Sequence, residues 1–206
     1  MNIKVNLANR NNYGNVRSLE SIRYIVIHYT ANDGDTDENN GTYFKNNLVE
    51  ASAHYFVDSN SITQSVSDNH IAWHCGAKFY WHDKCRNANS IGIEICDDVK
   101  DGVIYPSKKT IDNVIKLVEW LMKKYNIPKE NVIRHYDVTG KICPAYWCGT
   151  VEKNTKWKTE FLDRIGNSNV RYHVQVGAYS QKSNADNMVA KLKAAGFDAV
   201  IKETII

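Results

Sequence analysis

The stretch Ile22-Arg-Tyr-Ile-Val-Ile-His28 is a short apolar run, rich in β-branched residues, that ends on a histidine. Such a run is typical of a buried strand, and we predict a strand over Tyr24–His28. Two similar runs follow along the chain, Ile91-Gly-Ile-Glu-Ile-Cys96 and Val132-Ile-Arg-His135. We predict that these runs are strands as well, the second of which carries His135 to its end.

Helical and turn signals lie between these strands. Pro106 and the predicted N-cap Ser107 precede a run whose apolar residues recur at helical spacing. Residues 53–57 and 62–66 flank the turn-forming Asp58-Ser-Asn-Ser61, which predicts a β-hairpin. Strands that alternate with helices predict an α/β fold, with a central mixed β-sheet flanked by helices.

The polar loop 32–41 is rich in acidic residues, so a calcium site is an alternative interpretation. Its spacing departs from the calcium-loop pattern, and no glutamate closes it at the twelfth place. We favour a helix cap, with the helix running through Tyr43, Phe44 and Leu48.

The composition is that of a soluble globular protein, with 206 residues, 43% hydrophobic and 24% charged. The net charge of +3 permits attraction to an anionic surface such as a cell wall but does not indicate nucleic acid. No apolar stretch is long enough to cross a bilayer, and the N-terminus lacks the apolar region of a secretory signal. We expect a monomer that is made in the cytoplasm, binds no nucleic acid and does not insert into a membrane.

The composition changes near Ile165, where Gly, Asn and Ser cluster. We predict a domain over 1–165, a linker over 166–170 and a C-terminal segment over 171–206. In that segment we predict a strand over 172–177, a helix over Ser183–Ala195 that ends at Gly196, and a second strand over Phe197–Lys202. This small βαβ segment is too short to bury a stable core alone and looks like half of a module.

The stretch Arg134-His-Tyr-Asp-Val-Thr-Gly-Lys-Ile-Cys-Pro144 holds the residue types of a metal site. Imidazole and thiolate are strong zinc ligands, and the turn-prone chain between His135 and Cys143 can fold both onto one ion. His28 is the best third candidate. Three protein ligands leave a fourth position for water, as in a catalytic zinc site. A structural zinc site, for example in a nucleic-acid binder, would need a fourth protein ligand, for which Cys148 is the candidate.

The five cysteines exclude a fully paired disulfide framework because their number is odd. A thiolate on a metal would account for the odd one. Cys75 and Cys85 form either a disulfide or two reduced thiols, and the sequence leaves both open. Cys96 and Cys148 are interpreted as structural.

Five blocks of the chain resemble, in one collinear order, the type 2 zinc-dependent N-acetylmuramoyl-L-alanine amidases. That class includes phage endolysins, bacterial autolysins and the fold of peptidoglycan recognition proteins. The resemblance covers Ser21 to Trp147. Its blocks are Tyr24-Ile-Val-Ile-His-Tyr-Thr30, Ser52-Ala-His-Tyr-Phe-Val-Asp58, Ala72-Trp-His-Cys-Gly76, Asn89-Ser-Ile-Gly-Ile-Glu-Ile95, and Arg134-His-Tyr-Asp137 with Gly140-Lys-Ile-Cys-Pro144.

The resemblance implies that His28, His135 and Cys143 bind Zn²⁺. It also implies that Glu94 is the acidic catalytic residue and that Lys141 lies beside the metal. Apolar neighbours could raise the pKa of Glu94 toward the working range of a proton carrier. Lys141 would stabilise negative charge on the reacting carbonyl.

Some members of the class carry a tyrosine just before the histidine of the second block, where this chain has Ala53. The resemblance therefore puts more weight on Glu94. His54, Trp73 and His74 are candidates for substrate contact, although for Trp73 and His74 interior packing is an equal alternative.

The implied reaction is hydrolysis of the amide between N-acetylmuramic acid and L-alanine in bacterial peptidoglycan. Release of the protein through a holin or by cell lysis would then bring it to the wall. The alternative is a non-catalytic wall-binding module of the same fold, against which the retention of Cys143 beside both histidines argues. Tyr172–Tyr179 and Ala190–Phe197 resemble the first half of the SPOR repeat, a family that binds peptidoglycan glycan strands; the second half does not follow in this sequence.

Overall fold

The computed structural model describes residues 3–166 and 175–203 of the chain. The chain divides into two compact units, Met1–Asn169 and Val170–Ile206. The strands of the described residues all lie in the first unit. They are β1 Ile3–Val5, β2 Tyr13–Val16, β3 Tyr24–Asp33, β4 Tyr55–Val57, β5 Ile62–Gln64, β6 His70–Ala72, β7 Ser90–Asp97 and β8 Val132–Arg134.

Six of these strands form a mixed sheet in the order β1-β5-β4-β7-β3-β8, and β2 pairs with β6 in a separate two-stranded sheet. The central strands β4, β7, β3 and β8 are parallel to their neighbours in that order, and β4 and β5 form the predicted antiparallel hairpin. The mixed sheet and the strands predicted over Tyr24–His28 and residues 91–96 are thus confirmed. The longest strands lie at the centre because their apolar residues are covered on both faces.

The main helix, α2, spans Lys108–Tyr125. Ser107 caps it as predicted, because its side chain accepts a hydrogen bond from the N–H of Thr110. Asn126 ends it in the left-handed conformation. The buried face of α2 packs in the main core with the residues of β3 and β7, and burial of each large aliphatic side chain contributes about 1.5–3 kcal/mol.

The other helices of the first unit are shorter: α1 Asp37–Asn46, α3 His135–Thr139 and α4 Val151–Lys156, with a π-helical turn over Trp157–Phe161. The helix expected through Leu48 ends earlier, because the N–H and the side-chain amide of Asn47 both bond the carbonyl of Tyr43. Leu48 follows that cap and is exposed.

The second unit contains helix α5, Lys182–Ala194, close to the predicted bounds, and Gly196 follows it with a positive φ of 86°. The strand predicted over Phe197–Lys202 is wrong: residues 197–203 are irregular chain. A strand needs a partner for its backbone hydrogen bonds, and the described residues 175–203 contain no strand to supply one. Residues 172–174 of the strand predicted over 172–177 and residues 167–170 of the predicted linker lie outside the described residues, and residues 175–177 are irregular chain.

Across the described residues, no helix combines the length and the apolar character that a bilayer crossing requires.

Candidate metal centre

Strand pairing brings the two predicted histidine ligands together. β3 and β8 run parallel with Ile27 opposite Arg134, so the next residues, His28 and His135, lie side by side. Their ring centroids are 4.7 Å apart. Arg134 fixes the start of α3 because its backbone N–H and its guanidinium both bond the carboxylate of Asp137. His135, the first residue of α3, is therefore held in place by the residue before it.

A turn after α3 brings Cys143 to the histidines. Gly140 ends α3 with a φ of 80°, a conformation that glycine adopts without strain, and the N–H of Tyr136 bonds the carbonyl of Cys143 at 3.0 Å. The Sγ of Cys143 lies 3.8 Å from Nδ1 of His28. One ligand atom from each of His28, His135 and Cys143 lies within 4.8 Å of the others, and all three residues are buried.

The donor atoms of this group fit a zinc ion. Burial lowers the pKa of both His28 and His135, that of His135 to about 4, so both rings are neutral near pH 7 and can offer a lone pair. Nδ1 of His135 is buried and has no hydrogen-bond partner, which normally costs about 1–3 kcal/mol. A cation between the three groups would satisfy that nitrogen, and two imidazoles with one thiolate are a set that zinc accepts.

Cys143 would bind the cation as a thiolate. Burial raises the pKa of its thiol, and the nearby Glu94 raises it further, whereas a hydrogen bond from the backbone N–H of Tyr29 lowers it. Without a cation the thiol therefore keeps its proton at neutral pH. Metal binding must remove that proton.

Glu94 lies directly beside His28, its partner in register across the parallel strands β7 and β3. In-register residues of a sheet point to the same face, so the side chain of Glu94 lies on the same face as the ring of His28. Its Oε2 is buried and has no hydrogen-bond partner. Burial raises the pKa of Glu94 to about 8 against the opposing charge of Lys141.

Lys141 is exposed and lines a cavity of about 590 Å³ together with His135 and His74. Its positive charge lowers the pKa of both His135 and Glu94, so it lies within electrostatic range of the buried groups. The cavity also has Glu50, Asn87 and Thr139 in its wall, three polar residues that no sequence pattern marked as candidates.

The three candidates for substrate contact have different surroundings. Trp73 is 37% exposed and lines the cavity. His74 lines the cavity too, but its ring bonds His28 at 3.0 Å. His54 is fully buried, and its nitrogens lie 2.8 Å from Nη2 of Arg17 and 3.0 Å from the N–H of Gly92. The structure does not bring His54 to the cavity, because these contacts hold its ring in the interior.

The other cysteines have structural surroundings. Cys148 is not part of the ligand group, and its thiol bonds the carbonyl of Pro144 at 3.0 Å. Cys75 and Cys85 are free thiols in one small apolar cluster, so of the two alternatives the structure has the reduced pair.

The acidic loop after β3 contributes to a polar cluster in which Asp37 bonds the hydroxyls of Ser61 and Thr63.

Known proteins are similar to this chain in sequence and in fold. Residues 18–146 match the model of the N-acetylmuramoyl-L-alanine amidase family, and residues 168–206 match the SPOR domain. The amidase CwlL of Bacillus licheniformis is 33% identical over 193 residues, which are 86% of this chain and 51% of that protein. The amidase CwlA of Bacillus subtilis is 36% identical over 147 residues, 70% of this chain and 52% of that protein. The chain thus spans about half the length of these curated relatives.

Two solved structures are similar over most of their length. The structure of PlyL has a TM-score of 0.67 and 29% identity, covering 82% of this chain and all of PlyL. The catalytic domain of XlyA has a TM-score of 0.63 and 30% identity, covering 78% of this chain and 97% of that domain. Since the family model matches more than half of the residues, the chain belongs to the N-acetylmuramoyl-L-alanine amidase family.

Proposed function

We propose that this chain hydrolyses the amide bond between N-acetylmuramic acid and L-alanine in bacterial peptidoglycan, with Zn²⁺ held by His28, His135 and Cys143. The observation that carries the proposal is the convergence of these three groups within 4.8 Å, next to a carboxyl whose Oε2 has no partner. Membership of the amidase family supports the substrate.

When bound, zinc supplies a Lewis acid that acidifies water and polarises the carbonyl of the amide. Glu94 accepts the proton of the attacking water and donates it to the nitrogen of the leaving L-alanine. A carboxyl with a pKa of about 8 suits both steps, because its protonated and ionised forms are both populated near neutral pH. The register with His28 puts this carboxyl on the face where the ligands converge.

Lys141 stabilises the negative charge that develops on the carbonyl oxygen. Its side chain lines the same cavity as His135, and the residue lies two positions before Cys143 in the sequence. One such donor typically contributes about 3 kcal/mol to transition-state stabilisation. Trp73, exposed in the same wall, offers an aromatic face to the substrate.

The domain division 1–165, 166–170 and 171–206 is part of the proposal. The match of residues 168–206 to the SPOR domain supports a role of the C-terminal segment in attachment to peptidoglycan. We propose that 1–165 carries the hydrolysis and that 171–206 contributes to retention on the wall.

The test is digestion of purified cell walls with assays for new N-terminal alanine and for new reducing sugar ends. Alanine ends without reducing ends are the expected result. Reducing ends would identify a glycosidase and overturn the proposal. Binding to walls with neither product, in zinc-loaded protein, would instead favour the non-catalytic wall-binding module.

A further inference from the structure

A chain of hydrogen bonds extends behind His28, on the side away from Cys143. Nε2 of His28 lies 3.0 Å from Nδ1 of His74. Nε2 of His74 lies 3.1 Å from Oγ of Ser90, and that hydroxyl donates to the carbonyl of Arg86 at 2.8 Å. The side chains of His74 and Ser90 therefore link His28 to the backbone carbonyl of Arg86.

The carbonyl at the far end sets the direction of every bond in this chain. A carbonyl only accepts, so the single hydroxyl proton of Ser90 goes to Arg86. Ser90 must then accept from Nε2–H of His74. With one proton on each ring, Nδ1 of His74 is a bare acceptor and takes the Nε2–H of His28. Nδ1 of His28, the nitrogen that faces Cys143, is left with a free lone pair.

We propose that His74 is a positioning residue that, through Ser90, fixes the tautomer and the ring orientation of His28 so that its Nδ1 lone pair faces a bound divalent cation. The proposal rests on the metal site of the proposed function, and it assigns His74 no contact with the reacting atoms. Partners of this kind behind a metal-binding histidine usually raise metal affinity 10–100-fold by orienting the ligand.

The surroundings of His74 hold its ring in this place. Its backbone N–H and that of Cys75 both bond Oδ1 of Asn87, at 3.2 and 2.8 Å. The ring lies against β7 at Gly92, where a Cβ would come within 2.5 Å of Cγ of His74. Only a glycine leaves room for the ring at that position. The fold thus provides a fitted site for His74.

The anchor at Ser90 is equally well held. Ser90 is fully buried, and its carbonyl accepts a hydrogen bond of 2.7 Å from Nη1 of Arg17. The hydroxyl of Ser90 cannot rotate toward water, because it is enclosed between His74 and the carbonyl of Arg86. Because the hydroxyl of Ser90 is buried and has both partners, the hydrogen bonds from His28 to Arg86 keep one direction.

His74 lines the cavity, which suggests substrate binding as a competing role. Both of its ring nitrogens, however, already have partners, one in His28 and one in Ser90. Neither nitrogen is free for a hydrogen bond to a substrate. Substrate binding by His74 would require one of these bonds to break.

The experiment compares His74→Ala, His74→Asn and Ser90→Ala with the control His70→Ala in the full chain. Zinc affinity is measured by competition with a chromophoric chelator, and the tautomer of His28 by ¹H–¹⁵N correlation spectra of metal-free protein. We expect wild-type His28 to carry its proton on Nε2. His74→Ala should weaken zinc binding about 10–100-fold and give mixed tautomers.

His74→Asn should restore zinc affinity to within about threefold of wild type, since its Oδ1 can accept from His28 near the position of the lost Nδ1. Ser90→Ala should have a smaller effect than His74→Ala, and His70→Ala none. Hydrolysis by His74→Ala should recover in excess zinc. If His74→Ala does not fold, Ser90→Ala and His74→Asn carry the same comparison of tautomer and affinity.

Unchanged zinc affinity and an unchanged His28 tautomer in His74→Ala would overturn the proposal. A raised KM with unchanged zinc affinity would also overturn it, and would make His74 a substrate contact. These readouts concern metal binding, so they remain decisive even if wall digestion shows that the chain is not an amidase.

Discussion

Two carboxyl groups in different parts of the first unit have opposite surroundings. Asp37, the first residue of α1, has each of its oxygens bonded to a hydroxyl, at 3.0 Å from Ser61 and 2.8 Å from Thr63. Glu94, which lies beside His28 in the sheet, is half-buried and has a buried Oε2 with no partner. Burial is the first cause of a raised pKa in both, to about 6 for Asp37 and about 8 for Glu94.

The buried histidines show the same contrast. Both nitrogens of His54 have partners in the protein, whereas Nδ1 of His135 has none. An unmet buried polar atom costs stability, and Ser65 and Tyr146 also have buried hydroxyl oxygens without a partner. The comparison teaches that burial alone does not distinguish a structural polar residue from a functional one; a missing partner marks Glu94 and His135 as candidates only because both lie beside the converging ligand group.

The largest expected effect is in the ligand group. Cys143→Ala should reduce bound zinc from one per chain to a small fraction and abolish hydrolysis, because two imidazoles hold the ion too weakly. Metal analysis and the alanine-release assay measure both. The matched control is Cys148→Ala, because the thiol of Cys148 bonds the carbonyl of Pro144 and is not in the ligand group, so this variant should keep its zinc. A Cys143→Ala protein with full zinc and full activity would remove the thiol from the site.

The next effect concerns the unpartnered carboxyl. Glu94→Gln should lower kcat by about 10²–10⁴, because the amide cannot carry a proton, while zinc content stays at one per chain. Its free energy of unfolding should be equal to or higher than that of the wild type, since the substitution removes a buried ionisable group. Steady-state kinetics and denaturant unfolding are the measurements. Retained kcat would exclude Glu94 from the reaction.

Zinc affinity should depend on pH with the release of one proton. The pKa values of His28 and His135 are lowered by burial, so their protons are already gone near pH 7, whereas the thiol of Cys143 must lose its own. We expect the affinity to rise about tenfold per pH unit between pH 6 and 8. Chelator competition across that range gives the slope. A slope of zero would contradict this set of protonation states, and a slope above one would show that Glu94 also loses its proton when zinc binds.

The smallest effect is expected at Asp37, whose two carboxylate oxygens both have hydrogen-bond partners. The folded pKa of Asp37, about 6, lies above its ordinary unfolded value of about 3.9, so the folded state binds more protons between these values. Stability contributed by Asp37 is therefore present below pH 4 and lost as the pH rises to 6. We expect the change to be about 1 kcal/mol after solvent screening.

Asp37→Asn should remove that pH-dependent loss and leave kcat unchanged. Denaturant unfolding of both proteins between pH 4 and 7 gives the difference in slope. If the free energy of unfolding changes equally with pH in the two proteins, other groups cause the pH dependence. A large fall in kcat would show that Asp37, like Glu94, takes part in the reaction.

Much of the fold could be predicted from local patterns. The strand through His28, the strand before His135, the hairpin around Asp58–Ser61 and the capped helix α2 follow from apolar periodicity and turn residues, although the strand through His28 continues to Asp33, beyond its predicted end. The strand predicted over Phe197–Lys202 failed because a strand exists only with a partner, and alternation in one segment does not supply it.

The chemistry of the site could be predicted only in part. The residue types of His28, His135 and Cys143 indicated a metal, and their convergence is now seen. The sequence could not reveal that His74 bonds His28 or that His54 is enclosed by Arg17 and Gly92, since these contacts join residues 37 or more positions apart.

The sequence by itself determined which donor atoms are available and which segments become strands, because both depend on residue type and local periodicity. The tertiary structure decided which of those atoms keep a free lone pair. That outcome depends on strand register, such as His28 beside Glu94, and on the hydrogen bonds of neighbours such as His74. A polar atom is reactive or structural according to what it faces, and only the packed chain settles what each atom faces.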